Sequence, residues 1–246
     1  GNQTGVQFGS SDERRQTRPM PDHQLPDAVL WDLDGTLVDT EPAWIAAESE
    51  LARAHGVDWT TEDGEAMVGS ALPNAAAIMR GRGVHLSDDE IIGFLIDRVL
   101  VSLGERVPWQ PGALELLTEL RDAAVPCALV TMSYRDMADR IVAGAPDGVF
   151  HVVVAGDEVT QGKPHPEPYL RAAEMLGVDV RRCVAFEDSP TGLAAAEAAG
   201  ARVIGIQSQL PVASRPGRSR LAALDGFTLA DVRRVAAGEV IDQLGG

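Results

Sequence analysis

Two aspartates, one residue apart, stand directly after a short apolar run. The run is Ala28-Val29-Leu30-Trp31, and the segment Asp32-Leu33-Asp34-Gly35-Thr36 follows it. A carboxylate at the end of a buried strand can act as a nucleophile, and a nearby acid can protonate a leaving oxygen and then deprotonate water. Because Gly tolerates the sharp turn that such a pair needs, we predict Asp32 as nucleophile and Asp34 as general acid and base.

Further polar groups follow two later apolar runs. Thr131 comes after Ala128-Leu129-Val130, and Glu187 and Asp188 come after Val184-Ala185-Phe186. Phosphoryl transfer requires an in-line nucleophile, groups that neutralise the charge on the phosphoryl oxygens, and a proton for the leaving alkoxide. Strand ends that carry an acid pair, a hydroxyl and a second acid pair match these requirements.

The phosphoryl oxygens need hydrogen-bond donors and a permanent positive charge. We predict that the Thr131 hydroxyl and the Met132 amide donate to them, with Ser133 a weaker candidate. Lys163, in a loop between Gly and Pro, supplies the charge.

Several acids in one crevice repel one another unless they share a cation, and hard carboxylate oxygens favour Mg²⁺. We therefore predict a Mg²⁺ site formed by Asp32, Asp34, Glu187 and Asp188. One of the last two could serve only structurally, because an acid also suits the N-terminus of the helix that follows. Asp188 is the preferred ligand of that pair.

The elements that position these residues follow from the hydrophobic pattern. Two more apolar runs, Val152-Val153-Val154 and Val203-Ile204-Gly205-Ile206, bring the number of predicted strands to five. Helical patterns separate the runs; one of them starts at Ser189-Pro190 and ends at Gly200. Alternating strands and helices predict an α/β fold with a parallel sheet, whose ligand crevice lies at the carboxyl ends of the strands.

Residues 41–108 interrupt this alternation. They contain no strand-like run, and Ser87 with Glu90 forms a capping box ahead of an amphipathic helix. We predict a flexible leader over residues 1–27, a catalytic core over 28–40 and 109–246, and an inserted all-helical cap over 41–108 that is placed to act as a lid. Met20 is a candidate native start.

The bulk composition excludes several function classes. The formal net charge of −16 disfavours nucleic acid as a partner, and no apolar stretch is long enough to span a membrane. Cys127 and Cys183 lie far apart in apolar surroundings, which predicts buried thiols. We expect a soluble cytoplasmic protein that acts on a small phosphorylated metabolite; the oligomeric state is open, and a monomer is plausible.

The motifs resemble those of a known family. The segments Asp32-Leu33-Asp34-Gly35-Thr36-Leu37, Thr131, Lys163-Pro164 and Glu187-Asp188-Ser189 are similar to the four motifs of the haloacid dehalogenase superfamily, in the same order. The helical insertion resembles the cap of the subgroup that contains β-phosphoglucomutase and many sugar-phosphate phosphatases. This resemblance implies a Rossmann-like core, Mg²⁺ and an aspartyl-phosphate intermediate.

The family resemblance is compatible with several functions: dehalogenase, phosphatase, phosphomutase or a non-catalytic protein. Dehalogenases lack the second acid of the first motif, so Asp34 disfavours dehalogenation. Members similar to the mutase carry a cap His and a cap Arg where this sequence has Trp44 and Ala71. These two departures favour a phosphatase over a phosphomutase, and a non-catalytic member of the fold is a third alternative.

Four residues near the motifs had two interpretations each. Trp44 either packs in the cap or forms a wall against the substrate. Arg80 and Arg82 are either solvated or contact a second anionic group of the substrate. We predict His165 to be an exposed loop residue without a catalytic role.

Overall fold

The computed structural model describes residues 24–104 and 106–245, so most of the predicted leader, including Met20, lies outside the described residues. The strands are β1 (Ala28–Trp31), β2 (Cys127–Val130), β3 (Phe150–Val154), β4 (Cys183–Glu187), β5 (Arg202–Ile206) and β6 (Ser219–Leu221). The helices are α1 (Glu41–Ala54), α2 (Thr61–Glu65), α3 (Leu72–Arg82), α4 (Asp88–Leu103), α5 (Ala113–Asp122), α6 (Arg135–Val142), α7 (Glu167–Leu176), α8 (Pro190–Ala199) and α9 (Leu229–Ala236).

All six strands pair in parallel in the order β3-β2-β1-β4-β5-β6, which confirms the predicted α/β fold with a parallel, Rossmann-like sheet. The chain builds β2 and β3 on one side of β1 and then crosses to build β4 on the other. This reversal opens a crevice at the carboxyl end of β1. The strand β6 was not predicted, because its Ser-Arg-Leu sequence has no apolar run.

Two apolar cores cover the two faces of the sheet. Successive residues of β1 alternate between them: Val29 and Trp31 lie in the larger core, and Ala28 and Leu30 in the smaller one. The indole of Trp31 stacks on Phe186 of the neighbouring strand with ring centroids 4.1 Å apart. The sheet centre is therefore rigidly packed, and the residue that follows Trp31 leaves a fixed strand end.

Four helices, α1 to α4, lie between β1 and α5, and among the described residues of 41–108 no strand occurs. The predicted capping box is present, with Glu90 N–H donating to Ser87 Oγ at 3.2 Å. Leu51, Met79 and Leu95 from these helices belong to the larger core. The division into core and cap domains stays a prediction.

Cys127 and Cys183 are free, buried thiols, as predicted, and they begin β2 and β4. Of the helices in the described part of the chain, none combines the length and the hydropathy needed to cross a bilayer.

Candidate active site

The first motif forms a tight turn at the end of β1. The Asp32 amide still pairs with the sheet, donating to Phe186 O at 3.1 Å, and Gly35 N–H then donates to Val38 O at 2.8 Å. Gly35 has a φ of +82°, in the left-handed region that Gly adopts without strain. The Asp188 carboxylate lies where a Gly35 side chain would be, so the turn and the later acid fit together only without a Cβ.

Asp32 is held between a cation and a hydroxyl. Its Oδ1 lies 3.0 Å from Lys163 Nζ, and its Oδ2 accepts a hydrogen bond from Thr36 Oγ1 at 3.0 Å. Burial alone would raise the pKa of Asp32, but the charge of Lys163 and the hydrogen bonds around it outweigh burial and lower the pKa. The carboxylate is therefore ionised, as a nucleophile must be.

Lys163 is the only lysine among 21 basic residues of the chain and is 5% exposed. Its Nζ contacts Asp32 Oδ1, Glu187 Oε1 at 2.6 Å and the Val130 carbonyl at 2.8 Å. Burial lowers the pKa of the amine, but the charges of Asp32 and Glu187 raise it above its usual value. The site thus contains a permanent, compact positive charge.

Three buried acids, Asp32, Glu187 and Asp188, present carboxylate oxygens within 4.8 Å of one another. Burial, followed by the charge of Asp32, raises the pKa of Glu187 to about 8 and the pKa of Asp188 well above its usual value. Glu187 Oε2 is buried without a hydrogen-bond partner among the described residues. One lysine cannot neutralise three carboxylates, and this set of hard oxygen donors fits a divalent metal ion.

Asp34 faces away from this acid cluster. Its Oδ1 accepts hydrogen bonds from Thr40 Oγ1 at 2.6 Å and from Trp44 Nε1 at 2.8 Å, and its Oδ2 accepts one from Ser133 Oγ at 2.6 Å. Burial raises the pKa of Asp34, and these hydrogen bonds only partly oppose it. A raised pKa suits a general acid. The carboxylate is not in the three-acid group, so its ligand role stays a prediction.

The comparisons with known proteins agree with this geometry. A family model described as haloacid dehalogenase-like hydrolase matches residues 26–200. The chain belongs to this hydrolase family. The predicted family resemblance is thereby confirmed.

Named relatives of this haloacid dehalogenase-like hydrolase include a protein named CbbY and a hexitol phosphatase. Protein CbbY from Rhodobacter capsulatus is 35% identical over 72% of this chain and 83% of its own length. Hexitol phosphatase A from Escherichia coli is 34% identical over 73% of this chain and 82% of its own. A crystal structure of CbbY from Rhodobacter sphaeroides in complex with phosphate superposes with a TM-score of 0.75 at 28% identity, covering 85% of this chain and 99% of that chain.

The predicted phosphate-binding residues of this hydrolase are Thr131, Met132 and Lys163; Thr131 lies beside Asp34, and Met132 contacts the Lys163 amide. Met132 and Ser133 line the same cavity as Asp34 and Lys163. Thr131 Oγ1 accepts the Ser133 N–H at 3.0 Å and lies 3.5 Å from an Asp34 oxygen. Their roles toward phosphate stay predictions, and the present partner of the Ser133 hydroxyl is Asp34.

The four neighbouring residues with two interpretations differ in their surroundings. Trp44 packs in the larger core and also lines the cavity, where its indole donates to Asp34. Arg80 and Arg82 are exposed and pair with Asp88 and Asp63. His165 is an exposed loop residue, as predicted.

Sequence reasoning missed several polar groups of the site. The Thr36 hydroxyl donates to Asp32 at 3.0 Å and lies 3.1 Å from Asp188 Oδ1, and the Tyr169 hydroxyl donates to Glu187. The remaining missed groups are Thr40, Glu41 and Glu48. Spacing offered a signal for the two glutamates, because residues 41, 44 and 48 lie on one face of a helix.

Gly35 gives a test of this packing. We expect Gly35→Ala to lower the melting temperature and to impair metal-dependent activity, because the Cβ both strains the left-handed turn and overlaps the Asp188 carboxylate. Gly93→Ala is the matched control: Gly93 is an exposed helical residue with open space around a Cβ, so the same change should raise the melting temperature slightly. Equal responses of the two variants in differential scanning calorimetry would contradict the geometry.

Proposed function

We propose that the protein is a cytoplasmic, Mg²⁺-dependent phosphatase that hydrolyses a small phosphate monoester, such as a sugar phosphate, through an aspartyl-phosphate on Asp32. The observation that carries the proposal is the pairing of two unlike acids. Asp32 has a lowered pKa beside Lys163, whereas Asp34, two residues away in the same cavity, has a raised one. A nucleophile and a general acid require these opposite protonation states.

The chain's own groups account for both steps of hydrolysis. In the first, an Asp32 carboxylate oxygen forms a bond to phosphorus while the ester P–O bond breaks, and Asp34 donates its proton to the departing alkoxide. In the second, ionised Asp34 takes a proton from water, whose oxygen attacks phosphorus and releases Asp32 and inorganic phosphate. Lys163, the Met132 amide and the Thr131 hydroxyl bind the phosphoryl oxygens.

Asp32, Glu187 and Asp188 would hold the Mg²⁺, with the backbone turn at Gly35 keeping Asp188 in place. When bound, the ion offsets the negative charge of the carboxylates and of the phosphoryl group, which otherwise repel each other.

The cavity favours water over a sugar phosphate as the final acceptor. A phosphomutase must hold a bisphosphate, whose second phosphate needs a cation on the cap side. Helices α1 and α3 contribute Glu41, Trp44, Glu48, Leu72 and Ala75 to the described lining, and none of these five is basic. Lys163, on the core side, is already paired with Asp32 and Glu187.

A hydrolysis screen over phosphorylated metabolites tests the proposal. We expect phosphate release in the presence of Mg²⁺, loss of release with EDTA, and its return on adding Mg²⁺. With a hexose 1-phosphate, free phosphate should accumulate instead of the 6-phosphate. Accumulation of the 6-phosphate would favour the mutase, and no release from any ester would favour a non-catalytic protein.

A further inference from the structure

Glu48 is a buried acid that the proposed mechanism does not use. It lies on α1, is 6% exposed, and lines the same cavity as Asp32 and Asp34. Its Oε2 has no hydrogen-bond partner within the described part of the chain. A buried carboxyl oxygen without a partner costs folding free energy, so its presence in a substrate cavity points to a partner that arrives with the substrate.

The charges in the cavity limit what that partner is. Lys163 is the one basic residue in the described lining of the cavity, and it is bound to Asp32 and Glu187. Burial raises the pKa of Glu48 to about 8, so the carboxyl carries a proton at neutral pH and has both a donor and an acceptor to offer. A hydroxyl group matches this pair, because it also offers both a donor and an acceptor.

The position of Glu48 on α1 fits contact with the leaving group. Trp44, one turn earlier, donates to Asp34, the proposed acid that protonates the leaving oxygen. Glu48 lies four residues after Trp44, which is a rise of about 6 Å along the helix. This distance corresponds to two or three carbon atoms of the leaving group beyond the leaving oxygen. Met67 and Leu72 supply apolar walls around the same space.

We propose that Glu48 is the specificity-determining residue of the cavity, and that its carboxyl binds a hydroxyl group of the leaving group. The inference rests on the proposed phosphatase function and narrows its substrates to sugar or polyol phosphates with a single phosphate. A site that pairs a substrate hydroxyl discriminates strongly against analogues that lack it, since the carboxyl then stays unpaired.

Two matched substrate series test the inference. The first contains glycerol 1-phosphate, ribitol 5-phosphate and glucitol 6-phosphate, and the second contains the unbranched alkyl phosphates of equal carbon number. For the polyol hydrolysed best, we expect Glu48→Leu to lower kcat/KM at least about tenfold and Glu48→Gln to stay within about threefold of the wild type. For the matching alkyl phosphate, Glu48→Leu should leave kcat/KM unchanged or raise it.

Glu50→Leu is the control on the same helix. Glu50 is exposed and pairs with Arg98, so its replacement should leave both series unchanged. An equal loss on polyol and alkyl phosphates in Glu48→Leu would overturn the proposed contact, and so would a larger effect on an amino-sugar phosphate than on its hydroxyl counterpart. If the wild type hydrolyses neither series but releases phosphate from another ester, the Glu48 inference fails while the phosphatase proposal stands. Release from no ester would overturn the phosphatase proposal itself.

The melting temperature of Glu48→Leu gives a second test. A Glu48 that only stabilised the fold would lower the melting temperature when replaced. Glu48→Leu removes an unpartnered carboxyl, so we expect the melting temperature to rise, by about 2–4 °C. Since the folded carboxyl keeps its proton up to pH about 8 while the unfolded one releases it above its ordinary pKa, the gain should grow as pH rises between these values. The other ionisable groups of the cavity, Asp32, Asp34, Glu41 and Lys163, are common to both proteins. A fall in melting temperature would contradict the inference.

Discussion

Replacing Asp32 by Asn abolishes Mg²⁺-dependent hydrolysis, with an expected fall in kcat of at least about four orders of magnitude, while the protein stays folded. The Asn amide does not attack phosphorus, so the covalent step is lost. The fold survives because the change removes one of three carboxylates that repel one another within 4.8 Å. Steady-state phosphate release and thermal melting measure the two halves of this prediction.

Asp27→Asn provides the control for the loss of one carboxylate. Asp27 immediately precedes the N-terminal end of β1, whereas Asp32 follows the C-terminal end. Asp27 pairs with Arg182 at 3.2 Å, so its replacement should leave kcat unchanged. Substantial Mg²⁺-dependent turnover in Asp32→Asn would rule out the aspartyl-phosphate. An unfolded Asp32→Asn protein would instead mean that the ion pair with Lys163 is required for folding.

Replacing Lys163 by Met should reduce both activity and stability. The variant leaves Asp32 and Glu187 buried without their shared counter-charge, which costs about 3–5 kcal/mol and lowers the melting temperature by roughly 10 °C. Loss of a charge aimed at the phosphoryl oxygens should lower kcat by about 10²–10³-fold or more. Mg²⁺ should stabilise this variant more than the wild type, because the ion then supplies the only positive charge beside those carboxylates.

Two further variants sharpen this second prediction. Lys163→Arg keeps the charge, but the guanidinium is larger than the ammonium that three buried oxygens contact, so we expect little recovery of activity. Arg218→Met removes a cation from the Glu197 ion pair, which is remote from the candidate site, and should leave kcat unchanged. Full activity in Lys163→Arg would show that charge alone suffices at this position.

The location of the single lysine cannot be predicted from the composition. Twenty-one basic residues include one lysine, and that lysine lies in the acid cluster with its amine bonded to Asp32, Glu187 and a strand carbonyl. The other basic residues of this count are arginines, and most of those in the described part of the chain are exposed, although Arg220 is buried. At Lys163 all three oxygens converge on one nitrogen, which suits a compact ammonium with three donors, whereas the buried Arg220 spreads its contacts over the nitrogens of a planar fork.

The frame of the site follows from local patterns in the amino-acid sequence. Apolar runs that end in Asp32, Thr131 and Glu187 indicated parallel strands, whose carboxyl ends must meet at one edge, so the candidate groups could be brought together before any coordinates. Local signals also predicted helix ends, as at Ser87 and Ser189, because capping depends on neighbours within one turn. The strand β6 lacked such a signal, since backbone pairing with β5 defines it and its side chains do not.

Which atoms meet in the site depends on the packing of separate elements, and local sequence patterns do not predict it. Lys163 reaches Asp32 across 131 positions, and the Ser133 hydroxyl donates to Asp34. Glu48 is buried, and its Oε2 finds no hydrogen-bond partner among the residues that the structure describes. Spacing constrains side chains within one turn or one strand, whereas these contacts depend on how separate elements pack and on the dielectric that their packing creates. For the same reason, the opposite pKa shifts of Asp32 and Asp34, two residues apart in one motif, follow from the three-dimensional surroundings.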